Sequence, residues 1–204
     1  RDGWSAEVGY GDYDTTQASL GGGFTAGPLE FDLGVSYLDS AGFPTRTTDD
    51  TDRGYENLGA SAQLRAELGP AEVALRHWRA EGTSEYSDFF LTPVDQDFET
   101  ATTSLSVAWP AGGTIRAEVG ASRLEDRIEQ NQSPDFLRTV RDSVDAQLDW
   151  QASARHALAT GAQFSSEDAS SESFGDRMSA VTDMLTLFVQ DQFERGPHRA
   201  LAAL

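Results

Sequence analysis

Two stretches of the chain crowd together the side chains best suited to bind something. Asp49, Asp50, Asp52 and Glu56 fall in one; Glu85, Asp88, Asp95 and Asp97 fall in the next. Carboxylates at that density suit a hard cation such as Ca²⁺, which takes about six to eight oxygen ligands and draws flexible loops together. The donor set this suggests is Asp49, Asp50 and Asp52 from the first stretch with Asp88 and Asp97 from the second. The spacing is not that of an EF-hand, so on the residues alone a solvated acidic surface is the favoured reading and the cation site the alternative. Aromatic rings are interleaved with the acids: Tyr55, Tyr86, Phe89 and Phe90. Exposed rings of this kind stack on large planar ligands. Packing at a strand end competes with that role for Tyr55 and Phe98, whereas Phe89 and Phe90 sit in mid-connection and read as ligand contacts.

Other chemistry finds little support. Acidic groups outnumber basic ones 34 to 15, for a net charge of −19, the opposite of the basic footprint that nucleic acid requires. Cysteine is absent, which removes disulfides and thiolate metal sites. His77, His156 and His198 stand on separate segments, and no Ser sits in a G-x-S-x-G turn. Gly21-Gly22-Gly23 lies within a strand with no helix after it, so close packing rather than phosphate binding is expected. Asn131-Gln132-Ser133 matches a glycosylation sequon, and pairs such as Glu125-Asp126 read as solvated charges. No enzymatic activity is expected.

The elements that carry these residues are strands. From Leu58 to Leu68 the chain alternates without a miss, with Leu58, Ala60, Ala62, Leu64, Ala66 and Leu68 on one face and Gly59, Ser61, Gln63, Arg65 and Glu67 on the other. Period two is a β-strand with one apolar and one polar face. Gly69-Pro70 turns the chain, and Ala71, Val73 and Leu75 resume the apolar face. Eleven residues at roughly 3.3 Å each, tilted by about 45°, rise roughly 25 Å, the height of the apolar band of a transmembrane barrel.

The same hairpin recurs. Taking Gly27, Gly69, Gly112, Ser153 and Gly196 as markers of the short turns, the spacings are 42, 43, 41 and 43 residues. The residues themselves do not repeat, so the period is architectural. Alternation flanks each turn, as in Leu29–Tyr37, Leu105–Trp109, Ile115–Ala121 and Val144–Trp150, with Phe188 an exception on a polar face. Eleven strands are expected from Gly3 onward. Long polar connections are expected at Asp39–Glu56, Ala80–Asp97, Leu124–Arg138 and Ser165–Ala180, with a short one at Gly11–Thr15. Short turns at one end and long loops at the other are the asymmetry of an outer-membrane barrel. Phe24, Trp109, Trp150 and Phe193 precede short turns, while Tyr10, Tyr37, Tyr55 and Trp78 lie at the long-loop ends, as two interfacial girdles would. A mean hydropathy of −0.46 fits, because only every second strand residue meets lipid. The chain begins at Arg1 with no charged-then-apolar leader, so any signal peptide is expected to have been removed or left out.

The opening RDGWSAEVGYGDYDTTQASLGGGF, the segments GFPTRTTDDTDRGYENLGAS and SEYSDFFLTPVDQDFET, and the strand LTLFVQDQF together resemble the barrel of TonB-dependent outer-membrane receptors, most closely the cobalamin branch. The likeness spans nearly the whole chain and the first half of that barrel. It implies a barrel of about twenty-two strands closed around an N-terminal plug, energised through an inner-membrane complex. Neither the plug, the energy-coupling box nor the terminal aromatic strand of that family is in this sequence, so a barrel portion is expected. The resemblance also implies calcium-ordered loops around a cobalamin-like ligand, with TonB reached through a plug and lipid around the barrel. In one departure, Pro44 follows Gly42-Phe43 where the likeness calls for an acidic ligand. The expected function is therefore import of a large cofactor across the bacterial outer membrane. A general diffusion porin segment and a secreted calcium-binding β-sandwich are the alternatives.

Overall fold

A computed structural model describes residues 2–44, 47, 50–196 and 198–204. They form one antiparallel sheet of eleven strands: β1 (Gly3–Gly11), β2 (Thr15–Ala26), β3 (Leu29–Ser40), β4 (Tyr55–Leu68), β5 (Ala71–Ser87), β6 (Pro93–Gly112), β7 (Ile115–Gln130), β8 (Phe136–Gln151), β9 (His156–Ser173), β10 (Asp176–Arg195) and β11 (His198–Ala203). Spatial order follows chain order, and among the described residues β1 and β11 are not paired with each other. A β-sandwich needs two packed sheets; the single sheet overturns that alternative.

Register converts alternation into two faces. Phe24, Phe31, Leu64, Leu75, Leu105, Ala121, Val144, Phe164 and Leu185 are successive Cα partners from β2 to β10. The row on the other face runs Glu30, Arg65, Ala74, Ser106, Gly120, Asp145, Gln163 and Thr186. The apolar row is uncovered: Leu105 is 46 % and Leu185 66 % exposed, and no large side chain among the described residues is fully buried. A water-soluble domain of this size does not leave such a face bare; a strand array with lipid outside and polar groups inside does.

Most of the expected girdles hold. Phe24 stacks on Phe31 at 4.8 Å, and His156 packs on Phe193 at 4.9 Å beside the short turns. Trp109 and Trp150 pair with Ala117 and Ile115 on the apolar face. Tyr55 and Trp78 do not belong to a girdle. Each lies three residues from an apolar-face leucine, Leu58 and Leu75, and an odd offset reverses the face in a period of two. Register accordingly sets Tyr55 opposite Ser84 and Trp78 opposite Ser61 on the polar side. The exception at Phe188 has a cause: its ring lies over Gly161, where a Cβ would stand 2.5 Å from Cε1.

Three of the four expected long connections are instead strand. β5 continues to Ser87, β7 to Gln130 and β9 to Ser173, leaving only short tips at 88–92, 131–135 and 174–175. Between β3 and β4 the described residues, 41–44, 47 and 50–54, belong to no strand. β6 and β10 reach 20 residues, which at a tilt of about 45° rises roughly 45 Å, well beyond the apolar band. Above that band both faces are wet, so nothing selects for alternation. Polar cross-strand pairs hold the hairpins there: Arg79 with Glu99 at 3.2 Å, Arg123 with Asp142 at 3.3 Å, and Thr83 with Asp97 at 2.6 Å.

Candidate ligand-binding site

In the upper, loop-end half of the sheet the polar face turns apolar. Gly82, Phe98, Ile128 and Leu137 are successive partners across β5 to β8. Phe98 lies over Gly82, where a Cβ would come within 2.9 Å of the ring. Because Gly82 has no side chain, Tyr55 on β4 reaches across β5 and stacks on Phe98 at 5.8 Å, 11° from parallel. Beyond this row Tyr86 pairs with Val94. A depression of about 730 Å³ opens here, with Val94, Ile128 and Leu137 in its walls and Tyr86 and Phe174 at its margin. That volume falls within the range of small-molecule and cofactor sites.

Polar groups fix the walls. The Tyr86 hydroxyl donates to the Gln130 side chain. Gln130 donates to Gln132 Oε1 at 3.1 Å, and the Asp95 backbone N–H donates to the same oxygen at 3.1 Å. Asn131 and Gln132 both donate to the Asp95 carboxylate. These two amides, Asn131 first, hold the Asp95 carboxyl below its ordinary pKa. On the adjoining tip Asp88 Oδ1 accepts the backbone N–H groups of Phe90 and Thr92, both at 2.8 Å. That turn presents Phe89 and Phe90 edge to face at 5.5 Å, 86 % and 83 % exposed. Across the depression Phe174, at φ 52°, donates its N–H to Asp135 Oδ1 at 3.0 Å and stands 95 % exposed.

The residues singled out in the sequence are distributed as follows. Tyr86 and Asp88 line the depression, and Phe89 and Phe90 stand on the tip beside them. Tyr55 shares the face and touches the cluster through Phe98. Asp49 lies outside the described residues. Asp50 and Asp52 precede β4 outside any strand, next to the buried Arg53, which donates to Ser87 Oγ at 2.9 and 2.7 Å, and Gly54, whose N–H donates to Glu85 at 2.9 Å. Asp97 is on the other face of the sheet, accepting from Thr83 and, at 3.3 Å, from Asn131. Among the described residues no three His, Cys, Asp or Glu side chains are grouped closely enough to hold a metal ion. Val94, Ile128, Leu137 and Phe174 went unread in the sequence. Their signal was phase: Ile128 and Leu137 each lie seven residues from an apolar-face residue, Ala121 and Val144, and so on the opposite face.

No protein-family profile and no curated relative matches the sequence. Solved structures do. The chain superposes on the FrpB iron transporter of Neisseria meningitidis with a TM-score of 0.81 at 10 % identity, covering 100 % of this chain and 39 % of that one. The alcaligin outer-membrane receptor FauA of Bordetella pertussis gives 0.79 at 14 % identity, over 98 % and 37 %. The siderophore receptor PiuA of Acinetobacter baumannii gives 0.63 at 10 % identity, over 95 % and 40 %. The fold is similar to part of the barrels of these proteins. The chain spans about two fifths of the length of each of these structures. In such a barrel the uncovered apolar row meets lipid and the polar face lines the interior, which sets the depression at the loop-side mouth.

Proposed function

We propose that this chain is barrel wall of a TonB-dependent active-transport receptor in the bacterial outer membrane, binding a bulky metal-bearing ligand at its loop-side mouth. The observation that carries this reading is the apolar depression flanked by Tyr86, Phe89, Phe90 and Phe174, at the loop end of an interior face that is predominantly polar nearer the short turns. A pore for small hydrophilic solutes has no use for it. Cobalamin, a corrin with a large planar ring, is the finer reading supported by the sequence likeness. Calcium bound by Asp49, Asp50 and Asp52 together with Asp88 is proposed as the ion that orders the mouth; Asp97, held in the β6 ladder on the other face, is left out of the set.

Labelled uptake into cells producing the full-length protein tests the proposal. Cyanocobalamin or a ferric chelate should accumulate against its gradient, and a protonophore should abolish accumulation. Uptake indifferent to the protonophore would favour passive diffusion instead. Affinity should rise with calcium over chelator, and Asp50→Asn/Asp52→Asn should erase that difference. Superimposed wild-type curves would remove the ion from the proposal.

A further inference from the structure

The charge of the mouth assigns the class of ligand, an inference that rests on the transport reading above. Among the described residues lining the depression, none is Lys, Arg or His, and three are acidic: Asp88, Asp135 and Glu172. Glu172, eight residues from Phe164 along β9, belongs to the outer face, where it pairs with Arg177 at 2.8 Å, so the mouth's acids are Asp88 and Asp135. Asp88 and Asp135 accept backbone N–H groups, which steady a carboxylate without neutralising it. The floor is aliphatic, from Val94, Ile128 and Leu137. Phe174 and the Phe89-Phe90 pair stand exposed around it. A ligand reaching that floor loses water there, so each uncompensated negative charge on it meets carboxylates in a medium where Coulomb interactions exceed their strength in bulk water. The net charge of −19 repels anions at longer range as well. We infer that this mouth takes uncharged or cationic ligands with a broad planar or aryl face, and excludes polyanionic chelates.

Two porphyrins of matched shape and opposite charge separate the cases: the tetracationic N-methylpyridinium and the tetraanionic sulfonatophenyl compounds. Each is titrated into the detergent-folded full-length protein with a calcium chelator present, so that no ion offsets Asp88, and followed by porphyrin absorbance. At low salt the cation should bind at least about tenfold more tightly, and the ratio should shrink in about 0.5 M salt. General attraction to an acidic protein would do the same, so the position of the acids decides. Asp88→Asn/Asp135→Asn should collapse the ratio. Neutralising three acids near the short turns, Glu67→Gln/Glu118→Gln/Asp149→Asn, should leave it unchanged. Ile128→Asn/Leu137→Asn should weaken both porphyrins equally. An anion bound as tightly as the cation, a ratio that survives loss of the two mouth acids, or no binding of either porphyrin overturns the inference. The transport reading fails separately. An anionic preference with protonophore-sensitive uptake intact would overturn the charge class alone, and a cationic preference without energised uptake would overturn transport alone.

Discussion

The lower and upper halves of the sheet are built from the same strands and held by different forces. Near the short turns one face is uniformly apolar, from Phe31 across to Leu185, and the other is Ser, Gly and charge. Toward the other end the formerly apolar face carries Arg79, Glu81, Glu99, Arg123, Glu125 and Arg127 in ion pairs, while the interior face gains Phe98, Ile128 and Leu137. The inversion marks where lipid stops. Below it the solvent outside is hydrocarbon; above it the only place to hide an apolar side chain is the interior mouth, where a ligand can cover it.

That comparison predicts its own largest breakage. Arg substituted on one face should be costly low on a strand and cheap high on it. Leu75→Arg, in the lipid row, should cost about 2–4 kcal/mol. Thr83→Arg, eight residues along β5 on the same face, should be nearly neutral, and so should Gln63→Arg on the interior face of β4. Unfolding of the full-length protein in lipid vesicles measures all three. Equal costs at Leu75 and Thr83 would mean the lipid boundary is misplaced.

The same boundary explains what the sequence made legible. The eleven strands, their order, the short turns and the apolar face were readable because lipid on one side and polar contents on the other impose a period of two on every strand. Above the lipid that constraint disappears, and stretches such as Ala80–Asp97 read as loop although β5 and β6 run through most of them. Of the site, Tyr86, Asp88, Phe89 and Phe90 were visible as aromatics and acids clustered in a polar stretch. Val94, Ile128 and Leu137 were not, because single aliphatics out of phase look like noise until register aligns them. The girdle reading of Tyr55 and Trp78 failed by the same parity, since height along the strand was read correctly and face was not; the reading of Tyr55 as a site residue is untouched by it.

A second prediction sharpens the account of the mouth. A Cβ at Gly82 would stand 1.9 Å from the Glu56 carbonyl oxygen, so backbone must move. Gly82→Ala should cost about 1–3 kcal/mol and weaken ligand by displacing Phe98 and Tyr55. Gly120→Ala, on the same face but lower, meets only the Asp145 carboxylate at 2.6 Å. That side chain can swing away, so the change should be tolerated in both stability and affinity. If Gly82→Ala left affinity untouched, the Tyr55–Phe98 stack would have no part in the site.

Individual polar pairs in the upper half should contribute little. Arg141 and Glu167 are paired across β8 and β9, with the guanidinium half exposed. Such pairs are worth about 0.2–1 kcal/mol and weaken with salt. A double-mutant cycle with Arg141→Ala and Glu167→Gln should return a coupling in that range. A coupling several times larger would mean that single pairs, rather than continuous backbone ladders with many weak supports, hold these hairpins upright.

The smallest expected effect is local and depends on pH. Asp95 ties the 131–135 tip to the start of β6 through Asn131 and Gln132, and both amides lower its pKa. A carboxyl whose folded pKa is depressed contributes stability that is present above its unfolded value, about 3.9. That contribution is lost as pH falls through the lower folded value. At neutral pH the tip should therefore be fastened, and acidification through the carboxylate range should release it without unfolding the sheet. Amide hydrogen exchange at residues 131–135, corrected for intrinsic rate, should rise on acidification in the wild type. Asp95→Asn should raise it at neutral pH and remove the acid step, because an amide keeps the shape and has no proton to gain. The Gln130–Gln132 contact then loses its anchor, and Tyr86 loses the partner that fixes it in the wall. An identical acid response in wild type and variant would assign the tip's order to its turn geometry alone.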